Sequence, residues 1–137
     1  MQKIKHSILF LLVGVCIVLS SFKTSLQSID EVVQTFKVSM SSRDAKILSD
    51  YFANTVDLTY SNNHSTYTKS HAIIILNDFF NKNHPTSFRI DYRGASPHSD
   101  AQYVIGTAHT ENGIFRVYLY IRNKGGKLVV EEIRIAK

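Results

Sequence analysis

The chain has 137 residues, of which 44% are hydrophobic, and this length suits one domain with a core of its own. Its 16 Lys and Arg residues against 11 Asp and Glu residues give a net charge of +5, without a cluster of basic side chains. This balance argues against a nucleic-acid-binding or membrane-surface protein, and the single cysteine excludes a framework of disulfide bonds within the chain.

Residues 1–20 have the three parts of a secretory signal peptide. Lys3 and Lys5 precede an apolar run from Ile8 to Leu19, and small residues follow this run. The run is about 12 residues long, which is too short for the ~20 residues of a spanning helix. We therefore expect cleavage near Ser20 and no stable membrane span afterwards; an uncleaved N-terminal anchor is the alternative.

Cleavage at this position would leave a short tether, residues 21–27, and one folded domain, residues 28–137. It would also remove Cys16, so the exported domain would have no cysteine although export permits disulfide bonds. We expect a periplasmic or extracellular protein whose stability comes from its hydrophobic core.

Three helices are predicted before the chain changes to strands. Ser28 and Glu31 form a capping box at the start of the first helix, and apolar residues follow at helical spacing. The third helix must end before His84-Pro85, because proline disfavours helical backbone at the residue before it. The predicted helices cover about residues 28–39, 44–53 and 68–83.

After Pro85 the apolar period changes from 3.6 to 2, which indicates strands. A short strand from Val56 to Tyr60, and a second one around Tyr67, lie between the second and third predicted helices. The four long strands are predicted at about residues 88–93, 100–110, 114–123 and 127–136.

The register of the hairpins decides which side of the long strands meets the core. A two-residue turn at Asn112-Gly113 would place His109 opposite Arg116, whereas a three-residue loop places His109 opposite Phe115. A slip of one residue moves every side chain to the other face, and only the three-residue loop gives a continuous apolar face. We predict this loop here and in the next hairpin, where it sets Phe115 opposite Ile135.

The predicted register divides the strand residues between two faces of the sheet. The polar residues on the inward face are Tyr92, Tyr103, Thr107, His109 and Glu131. The outward face has an aromatic–arginine ladder that suits a protein interface, or alternatively cross-strand packing on a solvated face. This predicted ladder consists of Arg116, Tyr118, Tyr120 and Arg122.

The segment DAKILSDYFANTVDLTY, Asp44 to Tyr60, combines a helix that ends in a Tyr-Phe pair with a turn and a short strand. GIFRVYLYIRNKGGKLVVEEIRI, Gly113 to Ile135, reads as a long hairpin. With the other helices, this order resembles the nuclear transport factor 2-like fold, over residues 28–137. It is most similar to the small secreted bacterial branch of undefined function. The resemblance implies an α+β cone, in which three N-terminal helices pack on a strongly curved, mainly antiparallel sheet.

The resemblance also implies a pocket between the sheet and the helices, which the inward polar residues would line together with Tyr51 and Tyr60. His109 and Glu131 are an inward acid–base pair, but their predicted rows lie roughly 16 Å apart, too far for a catalytic dyad. Burial would raise the pKa of Glu131, which makes it the best catalytic candidate, with His109, should the protein be an enzyme. Asp57 points outward by alternation.

No catalytic motif is present in the sequence. The histidines have no zinc-like spacing and no Gly-rich phosphate loop occurs, so we expect neither a metal site nor a cofactor. The prediction is a non-catalytic interaction module, and the resemblance implies a homodimer through the outer sheet face. The alternative is a pocket protein for a small apolar or aromatic ligand, either a carrier or a hydrolase or isomerase. The fold hosts all these functions and does not choose between them.

Overall fold

The computed structural model describes residues 28–137, and these form an α+β arrangement of three helical segments and one six-stranded sheet. The helical segments are α1 (Ile29–Ser42), the 3₁₀ segment η1 (Ala45–Tyr51) and α2 (Lys69–Asn83). The strands are β1 (Phe52–Tyr60), β2 (Asn63–Thr68), β3 (Pro85–Ala95), β4 (Ala101–Thr110), β5 (Gly113–Lys124) and β6 (Lys127–Ala136). The predicted signal peptide and tether, residues 1–27, lie outside the described residues.

Both α-helices begin at the side chains that cap them. Ser28 Oγ accepts a hydrogen bond from the backbone N–H of Glu31 at 3.2 Å, which confirms half of the predicted capping box. Thr68 Oγ1 accepts a bond from the backbone N–H of His71 at the start of α2. This helix ends where His84 adopts a left-handed φ of 52°, directly before the proline that the sequence analysis used to end it.

The second predicted helix is a 3₁₀ segment, and it is shorter than predicted. The backbone N–H of Ala45 donates to Asn77 Oδ1 of α2 at 2.7 Å, so the start of η1 is fixed to α2. Leu48 and Tyr51 lie three residues apart and are both buried, which suits a helix with three residues per turn. As a result, β1 begins four residues before the predicted strand.

The strands lie side by side in the order β2-β1-β6-β5-β4-β3. All neighbours are antiparallel except β1 and β6, which are parallel and place Leu58 opposite Ile133. Helix α1 packs against β3, whereas α2 packs against β1 and β2. Within residues 28–137, no helix is both long enough and apolar enough to span a membrane.

The predicted register of the β4–β5 hairpin is wrong. Thr110 pairs with Gly113, which leaves a two-residue loop, and His109 lies opposite Ile114 instead of Phe115. This slip of one residue exchanges the two faces of β4, so that Val104 and the residues that alternate with it face the core. The residues of β4 that were predicted to face inward lie on the outer face: Tyr103, Ile105, Thr107 and His109.

The space available between the sheet and the helices explains this register. The rings of Phe36 and Phe88 meet edge to face there, with centroids 5.3 Å apart. Phe88 lies directly over Gly106 of β4, where an added Cβ would come within 2.4 Å of the ring. Because large rings already fill the layer, β4 turns its small side chains toward the core, including the fully buried Ala108.

The β5–β6 hairpin also differs from the prediction, but with less effect. Its turn is the two-residue Gly125-Gly126, with φ values of 62° and 88°, which suit a tight hairpin turn. This turn and a β-bulge at Glu131 each shift the register by one residue, so Val117 pairs with Ile135 instead of Ile133. A shift of two residues keeps each of these side chains on its predicted inner face.

Two β-bulges reverse the faces of strand segments that the sequence pattern treats as regular. In β6, Glu131 has no ladder partner, so Val130 faces the core and Val129 faces outward, whereas strict alternation from the buried Ile133 would give the reverse. In β3, Asp91 is the extra residue. Tyr92 consequently lies beside Ile105 on the outer face, and its predicted inward position is wrong.

Candidate functional site

Three tyrosines and one arginine form a continuous row across the outer face of the sheet. The rings of Tyr92 on β3 and Tyr103 on β4 stack with centroids 5.8 Å apart, and Tyr103 stacks on Tyr118 of β5 at 6.1 Å. The guanidinium of Arg134 on β6 lies 4.8 Å from the centre of the Tyr118 ring. We call these four residues the tyrosine row. It extends over four adjacent strands, and Tyr92 at its end is 55% exposed.

The predicted aromatic–arginine ladder of β5 does lie on the outer face, next to this row. Tyr120 is directly opposite Tyr103, and the guanidinium of Arg122 lies 5.7 Å from the Tyr120 ring centre. Arg122 also donates a hydrogen bond to the Tyr120 hydroxyl at 3.4 Å. Arg116 is exposed further along the strand. The alternation within β5 was therefore sufficient to place Arg116, Tyr118, Tyr120 and Arg122.

The hydroxyls of Tyr103 and Tyr118 are protonated at neutral pH. Burial, followed by the nearby carboxylate of Glu132, raises the pKa of Tyr118 above its ordinary value. A hydrogen bond with Tyr92 raises the pKa of Tyr103. Tyr103 and Tyr118 therefore present neutral rings with hydrogen-bonding hydroxyls, and Arg134 supplies the positive charge of the row.

The residues predicted to line a shared pocket lie on two different sides of the sheet. Tyr51 is on the inner side, where its hydroxyl donates to Glu31 Oε1 at 2.9 Å, and Tyr60 is also on the inner side. Tyr92, Tyr103, Thr107 and His109 are on the outer face. His109 pairs with Ile114 of β5, and the residue after Glu131 pairs with Tyr120, six residues or roughly 20 Å further along that strand. His109 and Glu131 are therefore too far apart to share a hydrogen bond.

Aromatic side chains occupy the inner layer at the place where the resemblance implied a pocket. The ring of Phe79 meets those of Tyr60, Phe80 and Phe115 edge to face, at centroid distances of 5.2, 5.9 and 5.0 Å. Phe79 and Phe80 are fully buried. This arrangement is a packed core with favourable ring geometry rather than the wall of an open cavity.

A cleft opens instead where β1 and β6 lose their register. Phe52 pairs with Val130 and Asp57 pairs with Glu132, so four residues of β1 lie against Glu131 alone. The resulting cleft has a volume of about 410 Å³. Its charged lining residues are Asp57, Lys69, Lys124, Lys127 and Glu131, and we call it the β1–β6 cleft.

Glu131 is an ion-paired carboxylate in this cleft. Its Oε1 lies 2.8 Å from Lys124 Nζ, and its Oε2 accepts a bond from Arg122 Nε at 3.0 Å. Burial alone would raise the pKa of Glu131, but the bonds from Lys124 and Arg122 outweigh burial and lower the pKa. The predicted raised pKa is therefore wrong, and Glu131 is ionised at neutral pH instead of being a proton donor.

A sequence profile of the family described as Domain of unknown function (DUF4783) matches residues 30–136. The chain belongs to this family. A solved DUF4783 protein from Bacteroides uniformis is 28% identical, with a TM-score of 0.69 over 76% of this chain and 94% of that one. One from Bacteroides fragilis is 27% identical, with a TM-score of 0.68 over 75% of this chain and 95% of that one.

The DUF4783 domain has a nuclear transport factor 2-like fold, which confirms the resemblance drawn from the sequence. A nuclear transport factor 2-like protein of unknown function from Silicibacter pomeroyi has a TM-score of 0.58, at 14% identity, over 79% of this chain and 91% of that one. No curated protein matches the chain. At this identity the likeness shows the fold alone, so the function must be argued from the residues.

Sequence reasoning missed two features of this DUF4783 domain. The contact of Arg134 with Tyr118 depends on the register between β5 and β6, which the sequence analysis did not predict. The β1–β6 cleft was missed entirely, because the shift between Phe52 and Asp57 leaves no periodic signal. The only hint in the sequence is the polar pair Asn54-Thr55 near the start of an otherwise alternating strand.

Replacing Glu131 with glutamine is expected to lower the free energy of unfolding by about 1 kcal/mol at pH 7, because the bonds to Arg122 and Lys124 lose their ionic character. The folded state holds the pKa of Glu131 below its ordinary value. The stabilisation is therefore complete above the ordinary pKa and is lost as the pH falls through the lowered pKa. Urea unfolding at pH 7 and near pH 3 measures the difference.

The matched control is Glu111→Gln, which removes a more exposed carboxylate that pairs with His84. We expect this control to change stability by less than about 0.5 kcal/mol at pH 7. A Glu131→Gln deficit that stays equally large at low pH would show that the side chain acts by packing rather than by charge.

Proposed function

We propose that this DUF4783 domain is a non-catalytic interaction module that forms a homodimer through the outer face of its sheet. The observation that carries the proposal is the tyrosine row. Its stacked rings and Arg134 lie on the face of the sheet that the helices leave uncovered. Tyrosine and arginine are enriched at protein interfaces, where they supply most of the binding energy.

The row is well prepared for binding, because its side chains already hold each other in place. Tyr103 is stacked between Tyr92 and Tyr118, so little side-chain entropy remains to be lost when a partner covers the rings. The phenol hydroxyls remain available for hydrogen bonds across an interface. This combination of apolar area and polar edges suits a protein partner.

The charges that flank the row favour a second copy of the same chain as this partner. On β3, Arg89 Nε lies 2.9 Å from a carboxylate oxygen of Asp91, and on β6 Arg134 pairs with Glu132. A two-fold axis that runs parallel to the strands, between β4 and β5, would place β3 of each protomer over β6 of the other. Asp91 would then face Arg134 of the other protomer, because both residues lie level with Ile105 and Tyr118, and the symmetry would form this pair twice. The face is thus self-complementary in charge, as an isologous dimer requires.

The alternative function, a carrier or hydrolase of the small-molecule pocket type, has less support. It needs open volume between the sheet and the helices, and the rings around Phe79 occupy that layer. Export of the domain is part of the proposal and rests on the signal-like residues 1–20. The intact mass of the protein recovered from its cells measures whether this segment is removed.

Sedimentation equilibrium at micromolar concentration tests the dimer. We expect the wild-type protein to associate reversibly and Tyr92→Ser to raise the dimer dissociation constant at least about thirtyfold. The substitution removes one ring from each protomer of the symmetric dimer, and a loss of ~1 kcal/mol per ring amounts to ~2 kcal/mol, or about thirtyfold. Tyr92 is 55% exposed, so the substitution leaves the core intact. The charge pairs across the axis also predict weaker association at high salt.

The matched control is Ile74→Ser, which removes an exposed apolar side chain from α2. Ile74 is 61% exposed, and the control is expected to leave the dissociation constant unchanged. A wild-type protein that stays monomeric, or a dimer that Tyr92→Ser does not weaken, would falsify the proposal.

A further inference from the structure

The β1–β6 cleft has backbone groups without strand partners. Between Phe52 and Asp57, no residue of β1 pairs with β6, and pairing with β2 begins only at Thr55. Ala53 and Asn54 therefore lack a ladder partner on either side, and both line the cleft. Peptide groups outside a ladder need hydrogen-bond partners from water or from a ligand. The floor of the cleft is accordingly polar and able to bind hydroxyl groups.

The negative charge of Glu131 in the cleft is paired within the protein, whereas two positive charges there are not. Glu131 is held by both Lys124 and Arg122, so its negative charge is compensated within the protein. Lys69 and Lys127 also line the cleft, and neither has an ion pair among residues 28–137. These two ammonium groups provide a positive potential that an acid group of a ligand would satisfy.

Asp57 sets a second condition on the chemistry of a ligand in this cleft. Its Oδ1 accepts a bond from the Thr66 hydroxyl, and it lines the cleft together with the lysines. A carboxylate accepts hydrogen bonds from hydroxyl or ammonium groups, but an ammonium ligand would be repelled by Lys69, Lys124 and Lys127. The donor groups of a suitable ligand are therefore hydroxyls.

We infer that the β1–β6 cleft is a binding site for a small hydroxycarboxylate. The acid group would lie against Lys69 and Lys127, and the hydroxyls would bond to Asp57 and to the backbone of Ala53 and Asn54. The volume of about 410 Å³ lies within the range of small-molecule sites. The inference does not depend on the homodimer, because the tyrosine row contributes no residue to this cleft.

Three probes with the same six-carbon chain separate the two requirements. Gluconate has both the acid group and the hydroxyls, sorbitol has the hydroxyls alone, and hexanoate has the acid group alone. In titrations of ¹⁵N-labelled protein, gluconate should shift the backbone amides of residues 53–55 in a saturable way. Sorbitol and hexanoate should each bind at least about tenfold more weakly, because each leaves one set of polar groups unpaired.

Two variants test the residues assigned to each role. The double variant Lys69→Gln and Lys127→Gln should weaken gluconate binding about tenfold or more, while Lys46→Gln, an exposed lysine on η1, should have no effect. Asp57→Asn should reduce the preference for gluconate over hexanoate.

Each of the opposite results would overturn the inference. A lack of saturable shifts with gluconate would show that the cleft is not a ligand site. Sorbitol binding as tight as gluconate binding would show that the acid group is not recognised. Hexanoate binding as tight as gluconate binding would show that the hydroxyls are not recognised. If both cleft variants bind gluconate as tightly as the wild-type protein does, the gluconate site lies outside the β1–β6 cleft. These outcomes are independent of the dimer, which sedimentation of the unliganded protein measures separately.

Discussion

Phe79→Ala is expected to lower the free energy of unfolding by about 3–5 kcal/mol, the largest loss that we expect from a single substitution in this domain. Phe79 is fully buried on α2, and its ring contacts three other aromatic rings at centroid distances of 5.0–5.9 Å. Truncation removes both the buried area and three edge-to-face contacts. The cavity cannot close easily, because Phe115 and Tyr60 are held on strands of the sheet.

Urea unfolding at constant pH measures this loss as a lower midpoint at an unchanged slope. Ile74→Ala is the matched control, because Ile74 lies on the same helix but is 61% exposed. The control should change stability by no more than about 0.5 kcal/mol. A loss below about 1.5 kcal/mol for Phe79→Ala would contradict a packed interior and would revive the small-molecule pocket between the sheet and the helices.

Gly106→Ala is expected to destabilise the domain by about 2–3 kcal/mol, although alanine is ordinarily better than glycine within a strand. The added Cβ would lie 2.4 Å from the ring of Phe88 and 2.6 Å from the carbonyl oxygen of Arg89. The ring is confined by Phe36, and the carbonyl belongs to the neighbouring strand. Neither group can move away without disturbing the core or the β3–β4 ladder.

Gly94→Ala is the matched control for this glycine. Its Cβ would also come within 2.4 Å of a ring, but this contact is with the outer end of Tyr103 on the outer face. That ring lies on the outer face and not in the core, so it can shift at the cost of its stacking contacts, and we expect a loss below about 1 kcal/mol in the same urea experiment. Comparable losses for the two variants, or a gain for Gly106→Ala, would show that Gly106 does not face the core.

The local elements of this fold could be predicted from the sequence because neighbouring residues determine them. Ser28 and Glu31 identify the start of α1, and His84-Pro85 identifies the end of α2. Alternation within β5 likewise assigned Val117 to the core and Tyr118 to the outer face. Each of these features depends on contacts within a few residues of chain.

The register of β4 could not be predicted by the same reasoning, because both of its sides are apolar. Tyr103 and Ile105 present more apolar area than Val104 and Gly106, and a rule based on area chooses the larger side. The structure has the opposite register, because Phe88 and Phe36 already occupy the volume that the larger side chains of β4 would need. This information is spread over α1, β3 and β4 and is absent from any single strand.

The predicted pocket residues were assigned to the wrong face because strand alternation alone does not reveal bulges or register. The bulges at Asp91 and Glu131 interrupt the alternation without any glycine or proline to mark them. Tyr92 therefore lies in the tyrosine row on the outer face and not in the predicted pocket. The sequence analysis named Tyr92, Tyr103 and Tyr118, whereas their grouping into a row, and the formation of the cleft, depend on the pairing of whole strands.

The parallel pairing of β1 with β6 also affects the order in which the domain can fold. Leu58 and Ile133 are neighbours in the sheet although roughly 75 residues of chain separate them. The β1–β2 hairpin therefore cannot join the sheet until residues 127–136 have been synthesised and paired with β5. Up to that point, the inner edge of β1 remains open to other strands, and a chaperone that binds exposed strand edges would protect the growing chain at this stage.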